Sequence, residues 1–438
     1  MIEKYLVKKI TEPVDWKVTV PGSKSMTNRA LLMAVLSAGT VRVEGVLFSD
    51  DSRHFLACLV SLGFAVQIEE EKKCVTVTGC GGRIPRGEAV IDVGSAGTAA
   101  RFLAAMLGFS DGCYEIRCSA QMKRRPMAEL FDLLSGAGAK ITFLEEEGHL
   151  PVRIAGCRSA RADETAGETP RRLSLDITKS TQFLSALLLI APMVPEGMKI
   201  HITSEKTDGS YIRITRKMMQ EFGVSVAFDG RDYEVPCRSS YRKETYMVEP
   251  DMSAACYFYA AAAVTGGRAL VRHVHMDNTQ GDLRFLEVLE HMGCTADDTP
   301  EGILVTGPAD GALRGITVNM NDFSDQALTL AAIAPFADAP VRIEGIGHIR
   351  GQECDRIHAI QTNLTALGIR CEEEETAATI YPGSPHGGSV ETYDDHRVAG
   401  MPERVRQFFE PGILCAPAAG NRRICHFICK IRQKETDR

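Results

Sequence analysis

Lys24, Arg29 and Arg397 stand in the first turns of segments that read as helices, where a positive side chain opposes the helix dipole. Capping does not explain cations there, whereas an anionic ligand does. Ser25 follows Lys24; Gly97, Thr98 and Arg101 open a second such segment, and Ser180, Thr181 and Gln182 open a third. Asp251, Asp325 and the His396-Arg397 pair mark three more. Arg124 and Arg125 precede Pro126 at a further helix start and also ask for an anion. The stretch from His348 to Arg356 sets Glu353, Asp355, Arg350 and Arg356 within nine residues, just before a helix. Clustered cations of this kind hold phosphates and carboxylates, and carboxylates beside them can move protons. A plainer reading stands beside each. Ser, Thr and Asp at helix starts are commonly caps, and Asp251 and Ser253 read so first. Glu353 and Arg356, three apart, are expected on one face of a first turn, where a structural ion pair is the simpler account. Gly22-Ser-Lys-Ser lacks the glycines of a nucleoside-triphosphate loop, because Ser23 stands where the second belongs.

The elements that must position these groups recur. Six times an apolar strand runs into a Gly/Ser/Asp-rich turn and then an Ala/Leu-rich helix, with helix starts roughly 70 to 85 residues apart. The opening strands are Trp16–Val20, Ala89–Val93, Leu173–Ile177, Tyr246–Glu249, Ile316–Met320 and Ser389–Tyr393. A second strand, an amphipathic helix ending in a Gly turn, and two closing strands fill out a βαβαββ unit. The pattern predicts an α/β fold of two three-repeat domains. One spans 22–240; the other combines 1–21 with 241–438, and the return crossing is set in the polar stretch near residue 240. Six helix starts can aim unpaired N–H groups and positive dipole ends at one anionic ligand site.

Bulk properties agree with a ligand that is gathered locally. A net charge of -7 argues against non-specific nucleic-acid binding. No apolar run reaches the length of a membrane span, and the first residues do not read as a signal peptide. Fourteen cysteines without such a leader suggest reduced thiols in the cytoplasm, and no spacing reads as a metal site.

Several of these stretches, taken in order, resemble EPSP synthase motifs. They are Pro21–Arg29, Gly94–Arg101, Lys123–Pro126, Ser180–Ser185, Ser324–Ala327, Arg350–Arg356 and Asp394–Arg397, collinear from about residue 5 to residue 399. The resemblance implies an inverse α/β, barrel-like fold that closes over its substrates without metal or organic cofactor. It implies carboxyvinyl transfer from phosphoenolpyruvate to shikimate 3-phosphate, in aromatic amino-acid biosynthesis, by a cytoplasmic monomer. Shikimate 3-phosphate binding is carried onto Lys24, Ser25, Arg29, Ser180, Thr181, Gln182, Tyr211 and Asp325. Phosphoenolpyruvate binding goes to Lys24, Gly97, Arg125, Gln182, Arg356 and Arg397. Proton transfer goes to Asp325 and Glu353, helped by Lys24. A UDP-N-acetylglucosamine carboxyvinyltransferase of the same fold is the nearest alternative, but the reactive Cys it would need is absent from Ala120-Gln-Met-Lys.

Some positions depart from the family pattern. Thr181 replaces a Ser and keeps the hydroxyl; Asp208, His348 and Gln352 replace a Ser, an Asn and a Lys, which weakens the expected shikimate 3-phosphate contacts. After Ala399 the family's Cys-x-Lys-Thr-Phe-like motif is missing, Pro402 interrupts the helical pattern and basic residues accumulate. This reads as a reading-frame shift near residue 399, leaving the sixth unit without its closing helix and strand. A folded but inactive substrate-binding shell is the alternative that follows.

Overall fold

The computed structural model describes residues 5–6, 10, 12–157, 169–178, 180–309, 312–393, 395, 397–398 and 414–415. Two compact units emerge: Pro21–Pro250, and Met1–Val20 together with Asp251–Arg438.

In Pro21–Pro250 the helices Lys24–Leu36, Gly97–Gly108 and Thr181–Ile190 pack against one another. Past their polar N-terminal turns they are apolar on every side, as in Ala30–Leu36 and Ala186–Ile190, and every residue from Met26 to Leu36 is buried, as are Phe183 to Ile190. A helix without a polar face must lie inside. The sheets cover them and keep one face toward water, so their strands alternate: Val41 and Val43 are buried between more exposed neighbours. Arg171–Leu175, Met198–Ile202, Asp232–Val235 and Ala227–Phe228 form one sheet. Its first two strands are parallel and the others antiparallel. Glu88–Asp92, Cys113–Arg117, Val152–Ala155 and Lys140–Phe143 repeat that order. Each parallel pair needs a crossover, and the buried helix supplies it. Gly63, Gly138 and Gly223 follow outer helices with φ of 90°, 103° and 89°, the left-handed turn that the sequence pattern asks for.

The other unit follows the same plan, with Met252–Thr265 packed on Ala327–Ile333. The repeat even reproduces a surface ion pair, since Arg42 meets Glu44 and Glu69 as Arg342 meets Glu344 and Glu374.

Two sheets are assembled differently from the linear repeat. The first opening strand, Asp15–Val18, pairs in parallel with Arg268–Arg272. The fourth, Thr245–Met247, pairs in parallel with Thr40–Glu44. The chain therefore passes between units after these strands, at Val20–Pro21 and Pro250–Asp251, later than the crossing expected near residue 240.

The sixth sheet has three strands among the described residues. Leu414–Cys415 lies between Ser389–Val390, to which it is parallel, and Tyr5–Leu6, to which it is antiparallel. This corrects the expectation that the sixth unit lacks its closing strand. The remaining tail, with Pro402, lies outside the described residues, as do Asp394 and His396.

Candidate active site

In Pro21–Pro250, four helix starts are tied together by polar side chains. Asn28 Nδ2 donates to Thr98 Oγ1 at 2.6 Å and joins the first two. Arg29 reaches the third, Thr181–Ile190, and the fourth, Ser210–Glu221, donating from Nε to Thr215 Oγ1 at 2.8 Å and from Nη2 to Ser185 Oγ at 3.5 Å and the Tyr211 carbonyl at 3.4 Å. Its guanidinium rests over the rings of Phe102 and Tyr211, 5.3 and 5.6 Å from their centroids. Arg101 donates from Nη1 to the Gly97 carbonyl and to Gln182 Oε1, both at 3.1 Å. That bond leaves the Gln182 amide NH2 as the group able to donate to a ligand.

Neither Arg29, at 1% exposure, nor Arg101, at 5%, meets a carboxylate among the described residues, and Arg101 Nε is buried without a partner. Burial pulls the Arg29 guanidinium down to about 10 and that of Arg101 to about 9, the latter helped by Arg125. A Cβ added at Gly97 would lie 2.6 Å from Arg125 Nη1 and 2.7 Å from Arg101 Nη1. Two guanidiniums thus converge on the N-terminus of Gly97–Gly108, where any larger residue would displace them.

Lys24 is the first residue of its helix, and its Nζ lies 3.3 Å from Asp51 Oδ2, a partner that nothing in the motifs signalled. Ser25 Oγ is 3.3 Å from Ser23 Oγ. Ser180 caps Thr181–Ile190 by accepting from Gln182 N at 3.3 Å, so the plainer reading applies to it as well. Asp208 is taken up by Arg213 Nη1 at 3.0 Å and by the Tyr233 hydroxyl at 3.2 Å.

In the other unit, Arg356 is 2% exposed and donates to Asp395 through Nε at 2.8 Å and Nη2 at 3.3 Å, and to Asp325 Oδ1 through Nη1 at 3.0 Å. Burial works against its charge, but Asp395, Asp325 and Glu353 outweigh it and hold Arg356 above its ordinary value. Arg397 Nη2 lies 3.0 Å from Asp325 Oδ2, so Asp325 is clamped between two arginines. Its side chain is 16% exposed while that of Asp395 is 0%, which leaves Asp325 as the carboxylate of the pair open to a ligand.

The stretch from His348 to Arg356 divides. Asp355 caps Arg356–Ala366 and pairs with Arg350 at 2.7 Å, a structural role. Glu353 therefore lies before the helix rather than on its first turn, which corrects the shared-face expectation; it acts on Arg356 from the preceding turn. Asp251 is a cap for Met252–Thr265, whereas Ser253 bonds to Asp282 instead. His348 Nε2 sits 2.8 Å from Ser324 Oγ, next to Asp325. Among the described residues, no group of three or more His, Cys, Asp or Glu is placed to hold a metal ion.

Known proteins match this chain over most of its length. The chain fits the family model of EPSP synthase (3-phosphoshikimate 1-carboxyvinyltransferase) over residues 8–401. It belongs to the EPSP synthase family. It is accordingly an enzyme, a carboxyvinyltransferase, as the motifs led one to expect. A 3-phosphoshikimate 1-carboxyvinyltransferase of Nostoc punctiforme is 39% identical over 406 residues, covering 92% of each chain. That of Trichormus variabilis is 40% identical with the same coverage. An EPSP synthase structure from Acinetobacter baumannii superposes with a TM-score of 0.77 at 22% identity, over 96% of this chain and 95% of that one, and shows the shared fold. Both sequence relatives carry the phosphoshikimate activity, so the aminosugar alternative is not favoured. The family match ends at residue 401, beside the point after Ala399 where the motif order breaks. Among the described residues, no helix is long and apolar enough to cross a membrane.

Proposed function

We propose that this chain transfers the carboxyvinyl group of phosphoenolpyruvate to the 5-hydroxyl of shikimate 3-phosphate and releases phosphate. The observation that carries the reading is the pair of buried arginines, Arg29 and Arg101, facing no carboxylate among the described residues. A buried cation without a counter-charge costs the fold, and a polyanionic ligand supplies the missing charge.

The hydroxyl must lose a proton as it attacks C2 of the enol, while C3 gains one; the tetrahedral intermediate then loses a C3 proton as it expels phosphate, which restores the double bond. Asp325 and Glu353, with Lys24, carry those protons. Lys24, Ser25, Arg29, Ser180, Thr181, Gln182, Tyr211 and Asp325 hold shikimate 3-phosphate, chiefly from Pro21–Pro250. Lys24, Gly97, Arg125, Gln182, Arg356 and Arg397 hold phosphoenolpyruvate, whose carboxylate and phosphate suit planar guanidiniums. The enzyme works as a cytoplasmic monomer; a scattering mass of two chains would overturn that.

The test is phosphate release from the two substrates, by this chain and by a version given a family-like C-terminus. Release by both supports the assignment for the chain as it stands. Release by the repaired version alone keeps the assignment of the site and makes the tail the defect. Silence in both overturns it.

Gly97→Ala tests the anion site separately. The methyl group must push the Arg125 and Arg101 guanidiniums apart. Losing one charge-assisted hydrogen bond, worth about 1.5–3 kcal/mol, raises KM for phosphoenolpyruvate about 10- to 100-fold. Initial rates against phosphoenolpyruvate read this directly, and an unchanged KM removes Gly97 from the binding site.

A further inference from the structure

One buried carboxylate stands beside the arginine clamp with no part in the reaction as described. Asp282 belongs to the short turn Gly281–Arg284 and is 7% exposed. Its Oδ2 accepts from Ser253 Oγ and, at 2.9 Å, from Gln326 Nε2. Both donors lead to the clamp. Ser253 Oγ in turn accepts from Arg397 Nη2 at 3.4 Å. Gln326 follows Asp325 directly, is fully buried, and is held from its other end by Thr329 Oγ1 at 2.7 Å.

A carboxylate used only to satisfy Ser253 and Gln326 would be replaced without loss by a neutral amide, and it would help the fold. Asp282 does not behave that way. Burial, reinforced by Asp325, pushes it up to about 6, against the pull of Arg397, Ser253 and Gln326. The charged groups facing it are Arg397 and Asp325, and the Cys256 thiol donates to its backbone carbonyl. Because its folded value is raised, the stability it contributes is present in acid and is lost as pH rises through about 6. The fold is therefore weaker at neutral pH for keeping this charge.

We propose that Asp282 is a positioning residue, fixing the Arg397 guanidinium through Ser253 and the backbone carrying Asp325 through Gln326. The proposal rests on the roles assigned above to Arg397 and Asp325.

Asp282→Asn and Ser253→Ala are the test, read by kcat, by KM for each substrate, by the acid limb of the pH–rate profile and by melting temperature. Asp282→Asn is expected to lower kcat at least tenfold, to flatten the loss of rate near pH 6, and to melt higher than the parent at pH 8 but not at pH 5. Ser253→Ala cuts only the link to Arg397, and is expected to raise KM for phosphoenolpyruvate several-fold while leaving that for shikimate 3-phosphate in place. If Asp282→Asn fails to fold, Ser253→Ala alone decides. An Asp282→Asn enzyme with parental rate and acid limb, or one that melts lower at pH 8, overturns the proposal. So does an unchanged KM in Ser253→Ala. Asp325→Asn and Arg397→Met are measured alongside: if they too keep the parental rate, the reading of the site fails rather than this addition to it.

Discussion

Asp325→Asn lowers kcat about a thousandfold while leaving the protein folded. The carboxylate receives Arg356 and Arg397 at 3.0 Å each, one on each oxygen, and its side chain remains 16% exposed. Asp395, on the far side of Arg356, is closed off entirely and cannot meet a substrate. A positioned general acid or base contributes about 10²- to 10⁴-fold, and asparagine removes the proton-carrying function while preserving shape. It also turns an amide NH2 toward one guanidinium, which adds to the loss. Phosphate release at saturating substrates measures the effect, with the far-ultraviolet dichroism spectrum as the check on folding. A rate within tenfold of the parent would take Asp325 out of proton transfer and leave it as a tether for the two arginines.

Arg356→Met is the largest stability change expected. Asp395 is fully buried and relies on two bonds from Arg356, with further donors at Arg397 N, 2.8 Å away, and Cys354 Sγ, 3.6 Å away. Removing one partner of a buried ion pair strands the other charge, at about 3–5 kcal/mol. Chemical denaturation measures this as a fall in the unfolding midpoint. An unchanged midpoint would mean that Arg397 N and Cys354 Sγ hold Asp395 without Arg356. Arg356→Lys does not rescue, because an ammonium cannot span Asp395 and Asp325 at once.

What the sequence revealed and what it hid follow the range of the interactions. Lys24 and Arg397 announced themselves because a cation in a first turn contradicts a local rule, and contradictions of local rules gather at sites; Arg29 was grouped with them but sits a turn later, as the sixth residue of Lys24–Leu36. The helices were plain for a similar reason, since Ala/Leu runs such as Phe183 to Ile190 can only be interior. Asp51 gave no sign. It follows Ser49 and Asp50 in an ordinary helix start with a Ser49–Ser52 capping box, and its partnership with Lys24 exists only once two helices pack. Asp282 was equally silent, because a single Asp between Gly281 and Leu283 has the look of a surface turn. Asp355 shows the opposite error. It sat in the densest charged stretch and proved to be a cap. The strands carry period-two alternation but no label for their neighbours, so the linear repeat could not say that Asp15–Val18 completes a sheet with Arg268–Arg272.

That pairing has a consequence for how the protein is made. Asp15 and Arg268 are bonded at 2.9 Å across 253 residues of chain. On a ribosome adding about 5–20 residues per second, the N-terminal strand waits roughly 10–50 s for its partner to be synthesised. Meanwhile Thr40–Glu44 waits in the same way for Thr245–Met247. Only the unit Pro21–Pro250 is a contiguous piece of the nascent chain, and it needs Thr245–Met247 to be complete, so cutting the chain at residue 240 for separate expression leaves both pieces with an open sheet edge. The first of the two to be finished is the one bounded by Pro21 and Pro250, and the earliest-made strand of all belongs to the unit that is finished last.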